Sequence, residues 1–164
     1  MRLYKDYIWL IILAVALCHC NDKKVFSEIP EIEFVGINQD TFNQGRQVND
    51  SIFITIRFRD GDGDIGFENN TANIFLKDNR DGFVNTFSSP VIPLSTTTAS
   101  LEGTIRVLVR TLLSVCCKYT TGQDPCSVSI TQSIDSFYYQ IHLLDRAGNK
   151  SNEVRSSTIY IRCN

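Results

Sequence analysis

Ser51-Ile52-Phe53-Ile54-Thr55-Ile56-Arg57-Phe58-Arg59 decides the fold class of this chain. Ile52, Ile54, Ile56 and Phe58 fall on one face and Thr55, Arg57 and Arg59 on the other, the two-residue period of a half-buried β-strand. Residues 104–110 repeat it, with Ile105, Val107 and Val109 opposite Thr104, Arg106 and Arg110. Residues 137–143 set Phe137, Tyr139, Ile141 and Leu143 against Tyr138, Gln140 and His142, and Ile159 and Ile161 alternate with Thr158, Tyr160 and Arg162. Weaker strands are predicted at 31–37, 73–77 and 83–87, the last two joined by the turn sequence Asp78-Asn79-Arg80-Asp81-Gly82. The run from Ile105 to Val115 is apolar enough for a buried helix, but its β-branched content and alternation favour a strand. Ser88 to Ser100, with two prolines and many hydroxyl residues, reads as a long irregular loop. About seven short strands with short connections predict an all-β fold, an immunoglobulin-like antiparallel β-sandwich.

The chain has 164 residues, enough for one domain with a core of its own. Its formal charge of −2 and singly scattered basic residues give no footprint for nucleic acid. The first residues belong to targeting. Arg2 and Lys5 precede an apolar stretch from Tyr7 to Leu17, far short of the roughly 20 residues that span a bilayer but suited to a signal-peptide core. Cys18 and Cys20 close that stretch where a small residue would ordinarily mark cleavage, the pattern of a bacterial lipoprotein signal.

Cys20 is the expected acylation site, with Cys18 the alternative. Leu17 then stands three residues before the acylated cysteine, and the polar run Asn21-Asp22-Lys23-Lys24 follows at once. Removing residues 1–19 takes the formal charge to −3 and leaves an even set of four cysteines, as suits an oxidising compartment. The expected organisation is a signal peptide over 1–19, a tether over 20–30 and the domain over 31–164. The chain would sit in the cell envelope, held by its acyl chains in the outer membrane.

Asp60-Gly61-Asp62-Gly63-Asp64-Ile65-Gly66 follows the Ile-rich strand over 51–59. Alternate carboxylates on a flexible backbone can wrap a hard cation such as calcium. It is not an EF-hand loop, because Ile65 and Thr71 stand where that loop needs its glycine and its bidentate glutamate. Spacing alone fits a metal-free acidic turn slightly better. Asp145-Arg146-Ala147-Gly148-Asn149-Lys150-Ser151-Asn152 connects the last two long strands. In an immunoglobulin-like topology the two motifs are the B–C and F–G loops, which share one end of the sandwich. Asp60, Asp62, Asp64, Asp145 and Asn149 are therefore the candidate calcium ligands.

With these two motifs in place, and its late cysteines, the chain resembles over residues 31–163 a set of uncharacterised lipoproteins of Bacteroidetes-type bacteria. The resemblance implies an envelope location and an immunoglobulin-like fold, and no activity. Among the late cysteines, adjacent Cys116 and Cys117 are sterically poor partners for each other. One is expected to bridge to Cys163 and the other to Cys126. A zinc site is the alternative, but the spacing from Cys117 to Cys126 matches no usual ligand pattern.

No nucleophile elbow, phosphate loop or metalloprotease motif occurs, His142 is the one histidine of the expected mature chain, and Asp78 and Asp81 read as solvated turn residues. No catalytic residue is assigned. The expected function is a non-catalytic envelope lipoprotein that binds a protein or glycan partner. A structural component facing the periplasm is the alternative, and an enzyme of unknown type the third reading. Phe67, Phe83 and Phe87 are the aromatics whose exposure near the loops would favour ligand binding.

Overall fold

The structure, a computed structural model, describes residues 26–45, 50–92, 100–112, 115–119, 122–129 and 131–163. The predicted signal segment, Cys18, Cys20 and the first part of the tether lie outside the described residues. Among those residues the chain is all-β: β1 (Glu31–Ile37), β2 (Thr41–Asn43), β3 (Ser51–Asp60), β4 (Ile74–Asp78), β5 (Val84–Phe87), β6 (Leu101–Arg110), β7 (Ile134–Phe137), β8 (Tyr139–Leu143), β9 (Val154–Arg155) and β10 (Ile159–Arg162).

The strands form three sheets, ordered β1-β3-β6, β2-β10-β7 and β5-β4-β8-β9. β3 is the centre of the first, antiparallel to both neighbours, with Ile52 opposite Val109, Ile54 opposite Val107 and Phe34 opposite Ile56. Its inward row is buried completely or nearly so, from Ile52 to Phe58. Inward residues of all three sheets, among them Ile74, Leu76, Tyr139, Ile141, Leu143, Ile159 and Ile161, meet that row in one apolar core, an arrangement consistent with a β-sandwich.

Ten strands replace the predicted seven for three physical reasons. β2 is three residues long, too short to carry an alternation, and exists because it pairs in parallel with β10, Phe42 against Ile161. The predicted strand over 137–143 starts earlier, at Ile134, and breaks at Tyr138, so that β7 pairs with β10 while β8 pairs with β4 and β9. Ahead of the predicted strand at 158–162 a separate short piece, β9, pairs with β8. Between the pairs Gln140–Arg155 and Phe137–Ile159 the second strand carries one extra residue, which kinks the hairpin. Ser156 repairs the ladder there: its N–H donates to the Tyr139 carbonyl at 2.9 Å, and its Oγ accepts from the Tyr139 N–H at 2.9 Å. β6 also begins earlier than predicted, at Leu101. Gly103 weakens the strand signal but is the residue that fits opposite Phe58, whose ring would lie 2.9 Å from an added Cβ.

Strand directions divide the molecule into two poles. Asp60, Leu101, Asn73 and Leu144 lie at one, and Asp78, Cys116, Asp135 and Cys163 at the other. The five residues of β4 separate them by roughly 17 Å. Of the two expected disulfide arrangements the structure holds Cys116–Cys126 and Cys117–Cys163, with Cα separations of 4.6 and 5.7 Å. The second is fully buried and fastens the end of β10 to the segment after β6.

Asp78 departs from its predicted solvated role. It shares the inward parity of Ile74 and Leu76 and is buried, and Arg80 folds back over it. The guanidinium makes contacts of 2.6 Å to Asp78 and 2.6 Å to Asp135, donates to the Cys116 carbonyl at 3.0 Å and lies over the Phe137 ring. Asp81 stays nearer the surface, paired with Lys118.

The Cys117–Cys163 bridge spans 46 residues, and a loop of that length corresponds to about 4 kcal/mol of denatured-state constraint. A Cys117→Ala/Cys163→Ala double variant is expected to lose stability of that order in urea denaturation. An unchanged midpoint would show that the bridge constrains nothing beyond what the core already holds.

Candidate metal centre

The inward parity of two strands builds the acidic pole. In β3 the buried positions are 52, 54, 56 and 58, and the next in the series is Asp60, with no exposed surface. In β8 they are 139, 141 and 143, and the next is Asp145, 1% exposed. Each row of core side chains therefore ends in a carboxylate that points the same way as the hydrophobic residues before it. Ile65, fully buried, plugs the first loop into the core, and the loop turns through Gly63 at φ 71°. Its partner loop turns through Gly148 at φ 89°, a conformation that favours glycine.

Asp60, Asp64 and Asp145 each bring one carboxylate oxygen to within 4.8 Å of the others. Oδ2 of Asp60 accepts the Asp64 N–H at 2.9 Å, and Oδ2 of Asp64 accepts the Ala147 N–H at 2.9 Å, so backbone donors tie the loops together. Arg146 N–H adds a bond to the Asp64 carbonyl at 3.2 Å. The remaining oxygens are left over. Oδ1 of Asp60, of Asp62 and of Asp64 are buried with no hydrogen-bond partner among the described residues. Buried polar atoms are satisfied in the great majority of cases, so these three oxygens are left free to take up a cation or water. The Arg146 guanidinium does not pair with them, because it donates instead to the carbonyls of Ile65 and Gly66.

Burial pushes the Asp60 carboxyl up to about 6, with the nearby Asp62 charge adding to the effect. Asp64 is raised for the same reason, burial first and then the charge of Asp145. The donor set is all oxygen and anionic, the chemistry of a calcium ligand field. A spacing within 4.8 Å lets one ion be shared, since oxygens on opposite sides of calcium stand about 4.6–5.2 Å apart.

The structure thus brings together three of the five predicted ligands, Asp60, Asp64 and Asp145, while Asp62 lies outside that cluster but near enough for its charge to act on Asp60. Asn149 is placed differently. Its N–H donates to Oδ1 of Asp145 at 2.7 Å and its Nδ2 to Oδ2 at 2.9 Å, so it orients that carboxylate instead of presenting an oxygen. Sequence reasoning gave no role to Asn152 and Asn73, both of which the structure uses. Asn152 brackets Ile32, and Asn73, fully buried, bonds Ser89 and the Leu144 carbonyl behind the loops. Of the three aromatics singled out, Phe67 is half-buried beside the acidic loop, Phe87 packs on the core, and Phe83 is exposed near the opposite pole. His142 stacks on Phe75 with ring centroids 4.8 Å apart, and burial together with the Lys150 charge lowers its pKa.

No protein-family model matches the chain, and no curated protein is significantly similar to it. Among the described residues no helix is long and apolar enough to cross a membrane.

An aspartate whose folded pKa lies above its unfolded value holds extra protons in the folded state. Its stabilising contribution is complete below the unfolded value near 3.8 and is lost as pH rises through about 6. In calcium-depleted buffer, Asp60 is therefore expected to make the protein melt higher at pH 5 than at pH 7.5. With calcium the Asp60 contribution should reverse, because the ion needs the carboxylate form. Asp60→Asn should reduce both trends in thermal melts, and a wild-type Tm indifferent to pH and calcium would contradict this.

Proposed function

We propose that this chain is a non-catalytic lipoprotein of the bacterial cell envelope. Its domain is an immunoglobulin-like β-sandwich that binds a protein or glycan partner and is stabilised by one calcium ion. The observation that carries the calcium reading is the set of partnerless buried oxygens of Asp60, Asp62 and Asp64, facing Asp145 from a second loop. Asp60, Asp62, Asp64 and Asp145 would hold the ion, with Asn149 bracing Asp145. Neutralising that cluster fastens the loop after β3 to the loop after β8.

Strand order supports the immunoglobulin-like reading. β1, β3 and β6 correspond to strands A, B and E, and β4, β7–β8 and β9–β10 to C, F and G, with β5 beside C. The acidic loops then become the B–C and F–G loops, which cluster at one end in that topology. The lipoprotein reading rests on the sequence of residues 1–24 and on the resemblance to Bacteroidetes-type lipoproteins. The two disulfides fit an oxidising envelope compartment.

Because the ion binds the folded form, stability should rise with the logarithm of free calcium, by about 2.7 kcal/mol at one hundred times the dissociation constant. Melts in calcium and in chelator test this, with Asp62→Ala and Asp145→Asn expected to abolish the difference. A wild-type Tm blind to millimolar calcium would reduce the motif to a turn. Intact-mass analysis of the mature N-terminus should find acylated Cys20, and an unmodified terminus would remove the anchor from the proposal. Pull-down from native envelopes, with protease shaving of intact cells, should recover a specific partner and fix the face it occupies.

A further inference from the structure

The peptide between the first two carboxylates of the acidic loop is occupied from outside the loop. Gly61 N–H donates to the Ser27 carbonyl at 2.7 Å, and the approach is so close that an added Cβ would stand 2.4 Å from the Phe26 carbonyl oxygen and 2.7 Å from Ser27. The Arg59 guanidinium lies 6.0 Å from the Phe26 ring centroid. The second loop grips the same incoming segment: Oδ1 of Asn152 accepts the Ile32 N–H at 2.7 Å, and its Nδ2 donates to the Ile32 carbonyl at 2.9 Å. Both acidic-pole motifs thus hold the chain just before and at the start of β1, at Gly61 in one and Asn152 in the other.

We infer that cation binding at Asp60, Asp62, Asp64 and Asp145 and docking of the lead-in Phe26–Ile32 stabilise each other, so that calcium sets how firmly the domain is held to its N-terminal tether. The inference rests on the calcium reading above. The mechanism is geometric. Gly61 lies between two ligand-bearing residues, so closing Asp60 and Asp62 on one ion fixes the orientation of the N–H that holds Ser27. Empty, the carboxylates repel one another, the loop opens, and the Gly61 N–H turns away from Ser27. Linkage is reciprocal: whatever calcium adds to docking, docking adds to calcium affinity.

Hydrogen exchange on the full-length chain in detergent, read by mass spectrometry over the peptide covering Phe26–Ile32, tests this alongside calorimetric calcium titration. Wild type should bind calcium and show slower exchange of the Ile29, Glu31 and Ile32 amides when it does. Gly61→Ala should lose that protection whether or not calcium is present, and should bind calcium about 5-fold or more weakly, as coupling of ordinary size requires. Asn152→Ala, which touches the lead-in and not the carboxylates, should weaken calcium binding in the same direction and keeps the test open if Gly61→Ala misfolds. Calcium binding with unchanged lead-in exchange, or with undiminished affinity in both variants, would overturn the coupling and leave the calcium site standing. Absence of calcium binding in wild type would overturn both.

Discussion

The alternation of β3 and β8 carries one step further than the hydrophobic residues do. Ile52, Ile54, Ile56 and Phe58 commit one face of β3 to the core, and Asp60 continues that face; Tyr139, Ile141 and Leu143 do the same for Asp145. A carboxylate in such a position has lost its water, and the cost of leaving it unpaired is large. The sheets cannot turn these residues outward without moving every core side chain on the same strand to solvent. Core packing therefore forces the two charges together, and the loops, the glycines and Asn149 are arranged around that fact.

The two poles meet the same difficulty in different ways. At one, Asp78 is carried inward by the parity of β4, and Arg80 neutralises it together with Asp135 while covering Phe137 and the Cys116 carbonyl. Two disulfides then close that end covalently. At the other, three aspartates converge with Asp62 beside them, and the neighbouring guanidinium of Arg146 is spent on backbone carbonyls. The first pole is complete within the chain. The second leaves buried carboxylate oxygens without partners among the described residues, and it is also where the N-terminal lead-in enters the domain.

Position of the lead-in gives the acidic pole a meaning beyond stability. A domain whose N-terminal lead-in docks on its acidic loops presents the opposite pole, with Phe83 and the disulfides, away from that entry point. A binding surface sought on this molecule is therefore better placed at the Phe83 end or on the sheet faces than at the acidic loops themselves.

By itself the sequence determined the all-β class, because alternation is a local property and four stretches display it clearly. It also named Asp60 and Asp145 as candidate ligands at neighbouring loops and showed that Cys116 and Cys117 must look elsewhere for partners, whereas the burial of both carboxylates, each continuing the inward series of its strand, came from packing. Only the tertiary structure decided the rest. β2 has no signal of its own and exists through β10; the breaks at Tyr138 and Ser156 follow from one strand pair serving two sheets. The pairing of Cys117 with Cys163 depends on which sulfur faces the core, and the role of Asn149 on which of its atoms meets Asp145. Contacts such as Gly61 with Ser27 and Asn152 with Ile32 join residues 34 and 120 positions apart, where no local pattern can register them. Period and parity are written along a strand; which strands and loops come to lie against one another is settled by the packing of the whole core.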